Sequence, residues 1–149
     1  NLTIASPDMG GTKRANTYAK YLQTDVVVCY KQRDKANEVS KMMLIGDVKG
    51  KDVILVDDMV DTAGTLTKAA DLMIANGATS VRACCTHGIL SGSAYERLDA
   101  SELSELLITD TLAKDHASDK VKVIGIAELF ADTIKRVHKK QSISSNFIC

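Results

Sequence analysis

Three aspartates, Asp57, Asp58 and Asp61, stand within five positions in the stretch VILVDDMVDTAGT, directly after four apolar residues. Adjacent carboxylates repel, so this arrangement requires a compensating charge or a ligand. Gly64 lets the backbone approach a ligand closely, Thr62 and Thr65 offer hydroxyls, and a helix starting near Leu66 presents unpaired N–H groups to an anion. The segment Asp61, Thr62, Ala63, Gly64, Thr65 thus reads as a phosphate cradle, although it lacks the spacing of a Walker loop. Asp57 and Asp58 repel phosphate and suit vicinal hydroxyls or a divalent cation instead. A phosphate site beside such a pair implies a phosphorylated sugar. An aspartate ahead of a helix is commonly an N-cap, but capping cannot account for all three.

The elements that must position these residues follow from short apolar runs alternating with helical patterns, which predict an α/β fold with a mostly parallel sheet flanked by helices. LTIA reads as a first strand, and GGTKRANTYAKYL as a helix with Ala15, Tyr18, Ala19 and Leu22 on one face. DVVVCY reads as a strand, and the polar KQRDKANEVSK as an exposed loop or the tip of a hairpin returning through MMLIG. The uniform hydrophobicity of DVILV predicts a central strand covered on both faces, followed by an acidic turn. The next helix, TLTKAADLMIANG, places Leu66, Ala69, Ala70 and Met73 on one side and ends at Asn76-Gly77. VRACC, ELLIT and VKVIG are further strands, and IAELFADTIKRVHKKQ is a C-terminal helix.

The 149 residues, 45% hydrophobic and 26% charged, suffice for the core of one domain over residues 1–149. Nineteen basic and nineteen acidic residues cancel, which argues against nucleic-acid or membrane-surface binding through bulk charge. The four cysteines show no metal-ligand spacing, and three lie in apolar runs, so a reducing cytoplasm is the expected location. No apolar run approaches the length needed to span a bilayer. The chain opens without Met in strand-like sequence and is expected to be part of a longer chain.

VILVDDMVDTAGT resembles the phosphoribosyl pyrophosphate motif of type I phosphoribosyltransferase folds. SPDMGGTKRA, YKQRDKANEVSKMMLIGDVKGK and THGILSG together resemble the ribose-phosphate pyrophosphokinase family, over Leu2 to Phe147 and the C-terminal half of its subunit. The resemblance implies transfer of diphosphate from Mg-ATP to the anomeric hydroxyl of ribose 5-phosphate, with release of AMP. It assigns Asp8 to Mg2+ and the Gly10-Gly11 turn to diphosphate oxygens. It places the ribose hydroxyls at Asp57 and Asp58 and the 5-phosphate at Asp61 to Thr65. It sets Lys31 and Arg33 on a loop closing over ATP, where preorganised cations contribute roughly 3–7 kcal/mol to the transition state.

The tail QSISSNF resembles the family's C-terminal segment, which implies that Ser142 and Ser144 serve a regulatory site for phosphate or ADP at an interface of a homo-oligomer. Ser145 and Asn146 depart from the usual pattern there. His87 follows a strand and could contact a ligand, although a lone histidine there is more often a structural hydrogen-bonding residue, and the basic run KRVHKK reads as complementing the last helix's dipole. Two rivals use the same loop: a stand-alone phosphoribosyltransferase, which needs a base-recognition hood in a chain with six aromatics, and a non-catalytic regulatory subunit, which should interrupt the Lys31–Arg33 loop.

Overall fold

The computed structural model describes residues 1–32, 41–112 and 117–148. In chain order the elements are β1 (Leu2–Ser6), α1 (Thr12–Leu22), β2 (Asp25–Gln32), β3 (Lys41–Ile45), β4 (Asp52–Val60), α2 (Gly64–Ala75), β5 (Ser80–Gly88), α3 (Ala94–Ala100), β6 (Glu105–Thr109), β7 (Val121–Ile124) and α4 (Ala127–His138). The seven strands run β3-β2-β1-β4-β5-β6-β7, all neighbours parallel except the antiparallel β2–β3 hairpin. β4 is the middle strand, as its uniform hydrophobicity predicts. The chain winds one way from β1 and the other way from β4, so their shared carboxyl end is the switch point where open α/β sheets bind ligands.

Alternation along β4 divides the core. Val53 and Leu55 face Leu66, Ala69, Ala70 and Met73 of α2, whereas Ile54 and Val56 face Ala15 and Ala19 of α1. All four predicted α2 positions are buried, and the helix ends where Asn76 caps it and Gly77 turns with φ +91°. On α1 only the alanines are buried; Tyr18 and Leu22 are 37% and 46% exposed. Small residues let α1 lie close to the sheet, which leaves the larger ones at its margins.

Two further features differ from the sequence reading. β4 is longer than DVILV, because its ladder to β5 continues through Asp57, Met59 and Val60. The paired carboxylates are therefore strand residues rather than part of a turn. The second difference is α3, where Leu98 and Ala94 are wholly buried among the core residues beside α2. Seven residues make barely two turns, too few to establish a helical period. α4 buries no residue, and its Leu129, Phe130, Ile134 and Val137 are all more than half exposed.

Candidate functional site

Extended backbone carries Asp57 and Asp58 to the carboxyl end of β4, and the compensating charge comes from α1. Arg14 grips both carboxylates at once, Nη1 to Asp57 Oδ1 and Nη2 to Asp58 Oδ2, each at 2.9 Å. Asp58 N–H donates to Asp57 Oδ1 and Met59 N–H to Asp58 Oδ1, both at 2.9 Å. Burial pushes the Asp57 carboxyl above the ordinary carboxylate value; the Asp58 N–H and Arg14 oppose that shift, and the neighbouring Asp58 carboxylate adds to it. At Asp58 burial is the largest single influence, but a side-chain hydrogen bond with Asp57, Arg14 and the Met59 N–H together outweigh it, so its carboxyl lies below the usual range. The pair thus holds an ionised Asp58 beside a more reluctant Asp57.

Arg14 is the residue of this cluster that the sequence does not single out. A signal was present: Lys13 and Arg14 occupy the first turn of α1, which has no acidic residue. Cations there oppose the helix dipole, so their presence points to a partner outside the helix.

The loop after β4 turns sharply into α2. Ala63 is the N-cap, in left-handed backbone (φ 59°, ψ 1°), and makes no side-chain cap. None of the three aspartates caps this helix. The first hydrogen bond of α2 runs from Thr67 N–H to Ala63 O, so the N–H groups of Gly64, Thr65 and Leu66 have no intrahelical acceptor. A left-handed alanine costs on the order of 1–2 kcal/mol and persists only where its surroundings impose it. Those surroundings come from the segment after β5. Leu90 N–H donates to Val60 O at 3.1 Å and Ser91 N–H to Asp61 O at 3.0 Å. The Ser91 hydroxyl donates to the Asp61 carboxylate, and Arg97 Nη1 donates to Thr62 O at 2.8 Å. Gly64 is not demanded by packing, since a Cβ there would meet Arg97 Nη1 only at 3.4 Å, an ordinary contact. The face it leaves bare is available to a ligand.

Asp8 joins this site. It lines a depression of about 170 Å3 with Asp57, Asp61, Thr62, Gly64 and Thr65. Its Oδ1 accepts the Gly11 N–H at 3.1 Å, and its carbonyl accepts the Ser6 hydroxyl at 2.6 Å. Asp8 therefore braces the strand-to-helix turn with one carboxylate oxygen. The other makes no hydrogen bond with a described residue. Gly11 is required locally, because a Cβ there would stand 2.6 Å from Ser6 Oγ.

Lys31 lies on β2, opposite Met42 of β3, so it is a strand residue rather than part of the loop. It lines a second depression of about 210 Å3 with Met42, Thr62, Gly64, Thr65 and Lys68. Arg33 lies outside the described residues, as does Cys149. Ser142 and Ser144 meet one another, Oγ to Oγ at 2.8 Å, and line neither of these two depressions. They border an open depression of about 600 Å3 with Asp132, Lys135, Arg136 and Lys139. His87 Nδ1 shares a 2.9 Å hydrogen bond with Thr111 Oγ1, consistent with a structural role. Burial pushes the Cys29 thiol up to about 11, with Asp8 adding to it, and the Cys85 thiol up to about 12, with charge from Cys84 and Asp57 adding to burial. Both therefore behave as small hydrophobes.

Among the described residues no group of three or more His, Cys, Asp or Glu could hold a metal ion. No helix among the described residues is long and apolar enough to cross a membrane.

The family model described as phosphoribosyl synthetase-associated domain matches residues 33–148. The chain is 54% identical over 145 residues to a ribose-phosphate pyrophosphokinase of Porphyromonas gingivalis, covering 97% of this chain and 46% of that protein. Among solved structures it is similar to phosphoribosylpyrophosphate synthetase from Mycobacterium smegmatis, with a TM-score of 0.84 at 35% identity, over 93% of this chain and 45% of that one. Orotate phosphoribosyltransferase from Aeropyrum pernix shares the fold alone, with a TM-score of 0.56 at 18% identity over 90% of this chain and 64% of that one. The chain spans about half the length of the curated relatives it matches. The expected type I phosphoribosyltransferase-like fold is the fold observed.

Proposed function

The chain belongs to the phosphoribosyl synthetase-associated domain family, and on that premise we propose that it forms the ribose 5-phosphate-binding half of a ribose-phosphate pyrophosphokinase. The observation that carries this reading is one junction, where the uncapped start of α2 adjoins both the Arg14-held carboxylates and Lys31. N–H groups of Gly64, Thr65 and Leu66 receive the 5-phosphate. Asp57 and Asp58 accept hydrogen bonds from the ribose hydroxyls, with Arg14 holding them in register. The anomeric hydroxyl oxygen attacks the β-phosphorus of ATP and gives up its proton to water, the bond from that phosphorus to the α,β-bridging oxygen breaks, and AMP leaves with that electron pair. Lys31 and Arg33 stabilise charge spread over the transferring oxygens.

Asp8 is the residue that would hold Mg2+, through the carboxylate oxygen not engaged by Gly11, and the Gly10-Gly11 turn would receive diphosphate oxygens. Mg2+ supplies neutralisation of phosphate charge when bound. Ser142 and Ser144, beside Lys135, Arg136 and Lys139, form a regulatory anion site for phosphate or ADP. The full-length protein is a cytoplasmic homo-oligomer, and this chain alone binds ribose 5-phosphate without turning over.

Measuring AMP release with ATP, Mg2+ and ribose 5-phosphate tests the assignment. The full-length protein turns over and the 149-residue chain does not. A full-length protein that releases no AMP defeats the activity, and turnover by this chain alone defeats its reading as an inactive half.

A further inference from the structure

The phosphate loop separates two depressions of opposite character that share Thr62, Gly64 and Thr65. Asp8, Asp57 and Asp61 line one, and Lys31 and Lys68 line the other. Of two neighbouring cations, Arg14 is paired with Asp57 and Asp58, whereas Arg97 keeps its charge while bracing the loop through Thr62 O. Lys31 and Lys68 make no hydrogen bond or ion pair with any described residue.

A phosphate monoester carries about 1.5–2 negative charges at neutral pH, and a helix N-terminus offers only about half a positive charge. Asp61, inside the loop, adds a further negative charge. A cation beside the loop would therefore strengthen what its N–H groups hold. Lys68 lies one helical turn after Gly64, on the same face of α2, and side chains on a helix lean toward its N-terminus. Gly64 adds no side chain between Lys68 and the loop, and both residues line the same depression with Thr62 and Thr65.

We propose that Lys68 is a phosphate-binding residue, supplying from α2 the counter-charge for the sugar phosphate held at Thr62–Thr65. This rests on the ribose 5-phosphate reading above and adds a residue to it. Lys31 is thereby left for the transferring group, so the two lysines of one depression serve different phosphates.

The test is an amide-resolved NMR titration of this chain with ribose 5-phosphate, ribose and inorganic phosphate, on wild type, Lys68→Ala, Lys68→Glu, Lys68→Arg and Gly64→Val. Lys68 is exposed on the helix and alanine is a better helix former, so Lys68→Ala keeps the fold. Lys68→Ala should weaken ribose 5-phosphate and inorganic phosphate together by about five- to tenfold, the size expected of a partly screened charge-assisted contact. Lys68→Glu should weaken both further, Lys68→Arg should restore most of the affinity, and ribose binding should not change. If Lys68→Ala and Lys68→Glu match wild type while Gly64→Val loses phosphate binding, the Lys68 assignment fails and the site reading stands. If Lys68→Arg is as weak as Lys68→Ala, the effect is not one of charge and the assignment also fails. A wild-type chain whose loop amides ignore ribose 5-phosphate overturns both.

Discussion

Replacing Arg14 with methionine keeps most of the stem and removes the one charge among the described residues that holds Asp57 and Asp58 together. Both contacts are 2.9 Å long, but they differ in worth, because the Asp57 side chain is 25% exposed and the Asp58 side chain 60%. A charge-assisted hydrogen bond to a largely buried carboxylate contributes about 1.5–3 kcal/mol, and an exposed one below about 1 kcal/mol. The expected loss at neutral pH is therefore about 2–3 kcal/mol, read as a shift of the urea midpoint at constant slope.

The pH dependence distinguishes this cause from lost packing. Asp58 has a depressed folded value, so it contributes stability that is present above the unfolded value of about 3.9 and lost as pH falls through the folded one. Asp57 is raised, so its contribution runs the other way, and stability falls as pH rises from that unfolded value through the folded one. Without Arg14 both carboxyls rise, which moves Asp58 toward Asp57 and steepens that fall. The penalty of Arg14→Met should be largest near neutrality and smaller at about pH 3, where the raised Asp57 is protonated and only the depressed Asp58 still pairs with Arg14. Equal penalties at the two pH values, or none at neutrality, would refute the electrostatic account.

Three other outcomes follow from the same geometry. Ala63→Val places a β-branched residue at φ 59° and should cost about 2–4 kcal/mol in urea unfolding while abolishing ribose 5-phosphate shifts in the loop amides. On the proposed assignment of Lys31 to the transferring phosphoryl group, Lys31→Ala in the full-length protein should lower kcat for AMP release by at least about a hundredfold with little change in ribose 5-phosphate affinity. Leu98→Ala removes a wholly buried side chain from α3 and should destabilise the domain by about 2–5 kcal/mol in calorimetry or urea.

Much of the fold was legible because its signals are local. The apolar run of β4 and the spacing of Leu66, Ala69, Ala70 and Met73 on α2 name their own buried faces, and Asn76-Gly77 names its own stop. α3 was not legible, because two buried residues in seven establish no period. Tyr18 and Leu22 fit a helical face by spacing, but close packing of Ala15 and Ala19 against the sheet excludes them from the core.

The sequence by itself determined which chemistry Asp57 to Thr65 could do, because carboxylates, hydroxyls and a glycine beside a helix start restrict the ligand through their own charge and shape. It could not say what balances the aspartates, since Arg14 lies forty-three positions away and reaches them only because α1 packs across β1 and β4. Nor could it say what holds Ala63 left-handed or sets Asp61. Those constraints come from Leu90, Ser91 and Arg97, which the β4–β5 ladder and α3 bring against the loop. Residue type is a property of the chain, whereas neutralising a charge or imposing a strained turn needs a partner in space, and only packing supplies one.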